Sequence, residues 1–317
     1  MNTATASAPV AATRDLAAIR AHIKSGIFRQ NIFAFVGVLF TAFAVLVLMA
    51  AFLDLLFDGL PRLSWDFMIS FPSRRAAQAG ILSAWVGSAL VMLLTMLAAV
   101  PIGVGAAIYL EEYAGKNWFT DLIEINVTNL AGVPSIVYGL LALGLFVYQF
   151  GFGESILTAG LTLALLILPI IIVSSREALR AIPTHIREAA YGVGATRWQL
   201  VSDHLVPYSR GGMMTGVILG MAEAIGQTAP IITIGALTFI AFLPPMPVTG
   251  EFPFLSVQWI WSEFTVLPIQ MYNWVSRPDK AFQLNAAAAG VILLFMTLLM
   301  NGLAIYLRYQ VRKKIKW

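Results

Sequence analysis

Six stretches of this chain carry almost no charge, and each is long enough to cross a lipid bilayer. They are residues 31–53, 76–110, 125–153, 155–175, 211–250 and 281–307. A spanning helix needs about 20 predominantly apolar residues. In hydrocarbon every backbone polar group must be satisfied within the protein, so such runs are read as helices. Three runs are interrupted. Gly132-Val133-Pro134-Ser135 breaks the third, Pro169 lies in the fourth, and Glu223 is the one charge in the fifth. An interfacial helix or re-entrant piece is a further expectation near residues 117–132. The composition agrees: 59% hydrophobic and 11% charged residues, against about 45–50% and about 25% in soluble domains. The expected fold class is therefore an all-α membrane protein with about six transmembrane helices.

Six spans place both termini on one side. The N-terminal segment carries Arg14, Arg20, Lys24 and Arg29 against Asp15. The C-terminal segment carries Arg308, Arg312, Lys313, Lys314 and Lys316. The loop between spans four and five adds Arg176, Arg180, Arg187 and Arg197. All three segments fall on one side, which the positive-inside rule makes cytoplasmic. The same rule accounts for the net charge of +4 without nucleic acid. One loop runs against it: Glu111, Glu112, Lys116, Asp121 and Glu124 lie on that side too. Acids count little in the rule, so the orientation stands.

Several chemistries find no residues here. The chain has no cysteine, hence no disulfide, thiol nucleophile or thiolate-bound metal. His22, His185 and His204 lack metal-ligand spacing, and no GxxxxGK[ST] phosphate loop occurs. No catalytic or metal site is expected, and no cofactor in this chain. The first 30 residues lack the apolar core of a signal peptide, so no cleavage is expected. The organisation reads as an N-terminal cytoplasmic tail (1–30), a transmembrane domain (31–310) and a basic cytoplasmic tail (311–317).

The loop 176–208 is too structured for a plain connector. Pro183 suits the first turn of a helix. Ile186, Ala189, Ala190 and Val193 follow at helical spacing and predict one apolar face. Gly192 and Gly194 suit its end. Thr196 and Gln199 fit a capping box for a second short helix, which Pro207 would close. From residue types alone, this helix-turn-helix either lies on lipid headgroups or docks on another protein.

Glu188-Ala189-Ala190, three residues, then Gly194 resembles the EAA loop of ABC importer permeases, the MetI-like binding-protein-dependent family. Pro207 falls where that pattern ends in proline, but His204 and Val206 replace its isoleucine and leucine. The resemblance implies a MetI-like core over about 76–308. It also implies that the loop docks in a groove of a separate ATPase subunit. Glu188, Ala189, Ala190, Gly194, Arg187 and Arg197 are then the coupling residues. Other stretches resemble PstA-type permeases of phosphate importers: residues 131–139 (AGVPSIVYG), 174–183 (SSREALRAIP) and 267–274 (LPIQMYNW) followed by Ser276-Arg277-Pro278. The implied partners are a PstC-type second permease, two copies of a PstB-type ATPase carrying ATP and Mg, a periplasmic PstS-type phosphate-binding protein, and membrane lipid. The implied location is the bacterial inner membrane.

Two segments remain open at this level. Residues 241–280 hold Pro244, Pro245, Pro247, Pro253, Trp259, Trp261 and Trp274. Exposed aromatics of this kind form either an aromatic belt or a docking face for a soluble protein. Glu223 costs about 2.5–3.5 kcal/mol at mid-bilayer, so it demands a partner or a wet cavity. It sits four residues before Gln227, which predicts a shared helix face. Gly226 and Pro230 predict a break there, as at transporter midplane sites. Glu223, Gln227 and Thr228 are the candidate pathway residues. PstA-type permeases carry arginine at the Glu223 position and glutamate at the Gln227 position. The role of that arginine in phosphate passage therefore does not transfer to this chain. The alternatives are a permease for another oxyanion (phosphonate, molybdate or sulfate) or an ion-coupled secondary transporter using Glu223 as proton carrier.

Overall fold

The computed structural model describes residues 9–115, 117–248 and 256–313. Lys116, Pro253, Lys314 and Lys316 lie outside them. All regular elements among the described residues are helical. The chain divides into two compact units at Phe57 and Asp58.

The first unit holds helix α1 (Pro9–Gly59), less its last two residues. No proline falls between Pro9 and Pro61, so nothing breaks the 51-residue helix. At 1.5 Å per residue it is about 75 Å long. It therefore runs through Asn31, where the spanning run was expected to begin. Its apolar side chains from Phe28 to Leu53 are exposed.

The second unit starts with α2 (Trp65–Ile69), whose N-terminal amide at Phe67 donates to Ser64 Oγ at 3.2 Å. Then come α3 (Leu82–Ile108) and α4 (Trp118–Leu130). Asn117 caps α4 by accepting from the Phe119 and Thr120 amides. Helix α5 (Ser135–Ala142) follows the Gly-Val-Pro break and is bent 110° from α4. Tyr138 Oη holds this elbow by donating to the Leu130 carbonyl at 2.8 Å. Helix α6 (Ile156–Arg180) is capped by Ser155. It leads to α7 (Thr184–Gly192), α8 (Arg197–Gln199), α9 (Val206–Ala224) and α10 (Ala229–Thr233). The unit ends with α11 (Leu267–Val275) and α12 (Ala281–Lys313).

Four described helices are long and apolar enough to cross a membrane, or five if α4 and α5 form one broken span. The run 211–250 is not one continuous span. It stops as a helix at Ala224 and resumes at Ala229, because Pro230 lacks the amide hydrogen that a continuing helix would need.

Helix α6 is the axis of this unit. Small residues bring its neighbours close, the usual basis of helix contact where lipid removes the hydrophobic drive. Gly103 of α3 lies on Ile171. Gly212, Gly216 and Gly220, spaced four apart along α9, lie on Ala178, Ser174 and Ile167. At the Leu82 end of α3, Phe67, Ile81, Trp274 and Phe282 make a buried cluster. Arg62 closes it, donating to Asn285 Oδ1 at 2.7 Å and to the carbonyls of Ala76, Ala77 and Ala79. The other end of α3, about 40 Å away at the helical rise, carries Glu111 and Glu112.

The aromatic expectation for 241–280 needs correction. Trp259 and Trp274 are core residues, and Trp261 is exposed. Trp274 is fully buried because its indole N–H has a partner inside. With the Gln270 amide suitably oriented, Trp274 Nε1 donates to it at 3.0 Å, and Gln270 donates on to the Thr238 carbonyl. A satisfied indole can be buried where a free one cannot.

Candidate functional site: a charged loop and a broken helix

The loop forms two short helices as its sequence dictates. Pro183 precedes α7, and Gly194 turns the chain at φ +82°, a conformation glycine enters without steric cost. The capping box is present: the Gln199 amide donates to Thr196 Oγ1 at 3.3 Å, and the Thr196 amide donates to Gln199 Oε1 at 2.8 Å. Pro207 does not close the second helix. The chain widens into a π turn over Leu200–Leu205 and continues through Pro207 into α9. The wide turn accommodates a residue that has no amide to give.

The apolar face of α7 also differs from its expected set. Ile186 and Ala190 turn inward on Leu179, Ile182 and Leu200. Ala189 is exposed, and Val193, just past the helix end, is 86% exposed. With Tyr191 and Trp198 they leave an apolar surface outside, beside exposed Glu188 and Arg197. Among the described residues Glu188 and Arg197 form no ion pair. Arg187 points back into the chain. Its guanidinium donates to the Leu179 and Ile182 carbonyls at 3.0 and 2.8 Å and to Glu112 Oε1 at 2.7 Å. It thus closes the end of α6 and fixes the angle of α7, since cations suit the orphan carbonyls of a helix C-terminus.

Three of the acids that disagreed with the charge rule, Glu111, Glu112 and Glu124, are partners of Arg176, Arg180 and Arg187. Arg176, with 7% of its side chain exposed, pairs with Glu124 at 2.8 Å and with Glu111 at 3.4 Å. Arg180 pairs with Glu111 at 2.9 Å and with Glu124 at 3.3 Å. The lattice ties α4 and the end of α3 to the end of α6. Buried charges require such pairing. The sequence signal for it is the matching of clustered acids and clustered arginines on the same expected side.

The broken helix separates the three pathway candidates. Glu223 lies in the last turn of α9 and is exposed on the surface of this chain. Its neighbour in charge along the helix, Arg210, is thirteen residues or about 20 Å away. Gln227 lies after the end of α9, so it does not share a helix face with Glu223. It turns inward, lining a cleft with Ser88, Leu163 and Ile231. The cleft has about 10 Å³ of free volume, room for one water at most. Thr228 is half-buried and starts α10. Behind the break, Gly139 of α5 sits against Pro230 and Thr233. Two segments far apart in sequence, 131–139 and 227–230, thereby meet.

Residues 99–317 match the family model described as "Binding-protein-dependent transport system inner membrane component". The chain is 29% identical over 274 residues to the probable ABC transporter permease YqgI of Bacillus subtilis, covering 85% of this chain and 91% of that one. It is 29% identical over 247 residues to the phosphate transport system permease PstA of Xylella fastidiosa (78% of this chain, 81% of that one). It is 32% identical over 229 residues to PstC of Haemophilus influenzae (63% and 70%). Among solved structures, the inward-facing MetNI methionine ABC transporter aligns with 73% of this chain and 95% of its own, at a TM-score of 0.55 and 17% identity; this supports the fold. The chain belongs to the family of binding-protein-dependent transport system inner membrane components.

Proposed function

We propose that this chain is a permease subunit of an ATP-driven ABC importer for inorganic phosphate. The observation that carries the coupling part is the exposed face of Tyr191, Val193 and Trp198 on a capped, internally braced helix-turn-helix. That face is large, apolar and rimmed by charge, as a protein-docking surface requires. Its occupant is an ATPase subunit, in two copies per importer, which binds ATP and Mg. This chain does no covalent chemistry. Closure of the ATPase pair moves the loop, and the helices alternate between inward and outward states.

Phosphate as cargo rests on relatives named phosphate transport permeases. The passage lies between this chain and a second, PstC-type permease. The free volume beside Gln227 is too small for an anion, and exposed Glu223 needs cover in hydrocarbon. Glu223 repels an anion directly, so its role is to orient a cation supplied by the second permease. A periplasmic phosphate-binding protein delivers the anion at the Arg62–Trp274 end. The coupling loop and both termini face the cytoplasm, across the inner membrane.

The test is labelled phosphate uptake by phosphate-starved cells with and without this chain, with sulfate, molybdate and a phosphonate as competitors. Loss of uptake on deletion, restored by the gene and indifferent to the competitors, supports the proposal. Unchanged phosphate uptake in cells with no second importer contradicts the cargo.

A further inference from the structure

Between α3, α9 and α12 lies a cleft that the proposed function does not use. It has about 370 Å³ of free volume, within the range of small-ligand sites. Its walls include Met92 and Met96 of α3, Val217 and Met221 of α9, and Met300 and Leu303 of α12. Met96 and Leu303 are exposed, so the cleft opens onto the surface of this unit. Methionine side chains are unbranched and adaptable, and they conform to a flexible apolar guest. Asn301 adds a polar group to the wall, and its Oδ1 has no donor among the described residues.

One end of the cleft is basic. Arg308 follows Asn301 by seven residues on α12, and Arg210 precedes Val217 by seven on α9. Seven residues are about two helical turns, so each arginine continues its helix's cleft-lining stripe about 10 Å further along. Arg308 donates from Nη1 to Thr215 Oγ1 at 2.8 Å, while Met300 and Met221 share the cleft. The two helices therefore run antiparallel, and both arginines lie at the end where α9 leaves the loop 176–208. Arg210 is exposed. Among the described residues neither arginine pairs with a carboxylate. Thr215 gives its own hydroxyl proton to the Gly211 carbonyl, so its bond to Arg308 leaves the positive charge unneutralised.

We propose that this cleft binds one anionic phospholipid, with an acyl chain between the methionines and the headgroup phosphate against Arg308 and Arg210. Charge complementarity selects this occupant. Arginines at the end of a membrane helix call for an anion, and basic pockets between membrane helices hold anionic headgroups. The planar guanidinium matches phosphate oxygens two at a time. An apolar helix of another chain would fill the cleft and leave both arginines unpaired. Free phosphate would pair the arginines and leave the cleft empty. The lipid satisfies both, and it fastens α12 to α9 beside the Arg308–Thr215 bond. The site is independent of the cargo.

The test uses the chain purified in detergent with the subunits that accompany it. It is given phosphatidylglycerol or phosphatidylcholine, each carrying the same photoreactive acyl chain, and label on the cleft peptides of α3, α9 and α12 is read by mass spectrometry. Phosphatidylglycerol should label the cleft at concentrations where phosphatidylcholine does not. Arg210→Gln with Arg308→Gln should weaken that labelling by about thirtyfold, about fivefold per arginine. Lysine at both positions should keep most of it, because the charge remains. Ala304→Phe fills the cleft and should abolish labelling with both arginines in place. Equal labelling by the two lipids overturns the proposal, as does unchanged labelling in the glutamine variant. If the glutamine variant does not assemble, loss of labelling in the lysine variant or full labelling in Ala304→Phe overturns it instead. Displacement of the lipid by inorganic phosphate assigns the arginines to free phosphate and overturns it. A cleft that neither lipid labels, in a chain whose partner dissociates on Ala304→Phe, assigns it to a protein helix and overturns it too.

Discussion

Glu223 and Gly139 show how position adds to what residue type leaves open. A carboxylate in an apolar run reads as a pathway group, an assembly pair or a proton carrier. Its exposure on the chain surface is the observation behind the proposal that a neighbouring chain covers it. Glu223→Gln should leave the assembly intact and lower uptake about tenfold, equivalent to about 1.4 kcal/mol of barrier. Copurification of the second permease and uptake in the same preparation check both halves. Gly139 matters for the opposite reason, since it has no room to grow. A Cβ there meets Pro230 and Thr233, so Gly139→Val should destabilise by about 1–3 kcal/mol through overpacking. A lowered thermal midpoint of the purified assembly, with uptake reduced in proportion, is the expected result.

At the scale of elements, the loop 176–208 is the most legible part of the sequence. Its start at Pro183, its turn at Gly194 and the Thr196–Gln199 box are local chemistry, and local chemistry is written in adjacent residues. What the sequence could not show was which way α7 faces. Val193 lies at the right spacing for the core but falls past the last turn, where the chain has already turned outward. The tryptophans of 241–280 failed for a related reason. Burial of Trp274 depends on Gln270 and Thr238, and a hydrogen bond between segments leaves no spacing pattern. Glu111, Glu112 and Glu124 looked like an exception to the charge rule and become partners of Arg176, Arg180 and Arg187 only once the helices are packed. On the exposed side of the loop, Glu188→Lys should weaken ATPase docking by about 2 kcal/mol. The measurement is the amount of ATPase subunit retained on the permease pair, together with uptake. Full retention and coupled uptake would remove Glu188 from the interface.

The second unit joins a helical body, a braced loop at one end and a capped aromatic cluster at the other. Membership of the permease family fits a sequence without a GxxxxGK[ST] phosphate loop; ATP hydrolysis is proposed to lie on a partner. Each of the six expected runs contains helix, but the third and fifth are broken, and the helices that follow the two breaks, α5 and α10, meet at Gly139 and Pro230. That meeting point could not be read from either segment alone. The most direct measurement is phosphate uptake into liposomes holding the complete assembly, with ATP and without it. The account predicts uptake that requires ATP, the ATPase subunit and the binding protein together. Uptake driven by a proton gradient in the absence of ATP would contradict it and return Glu223 to the role of proton carrier.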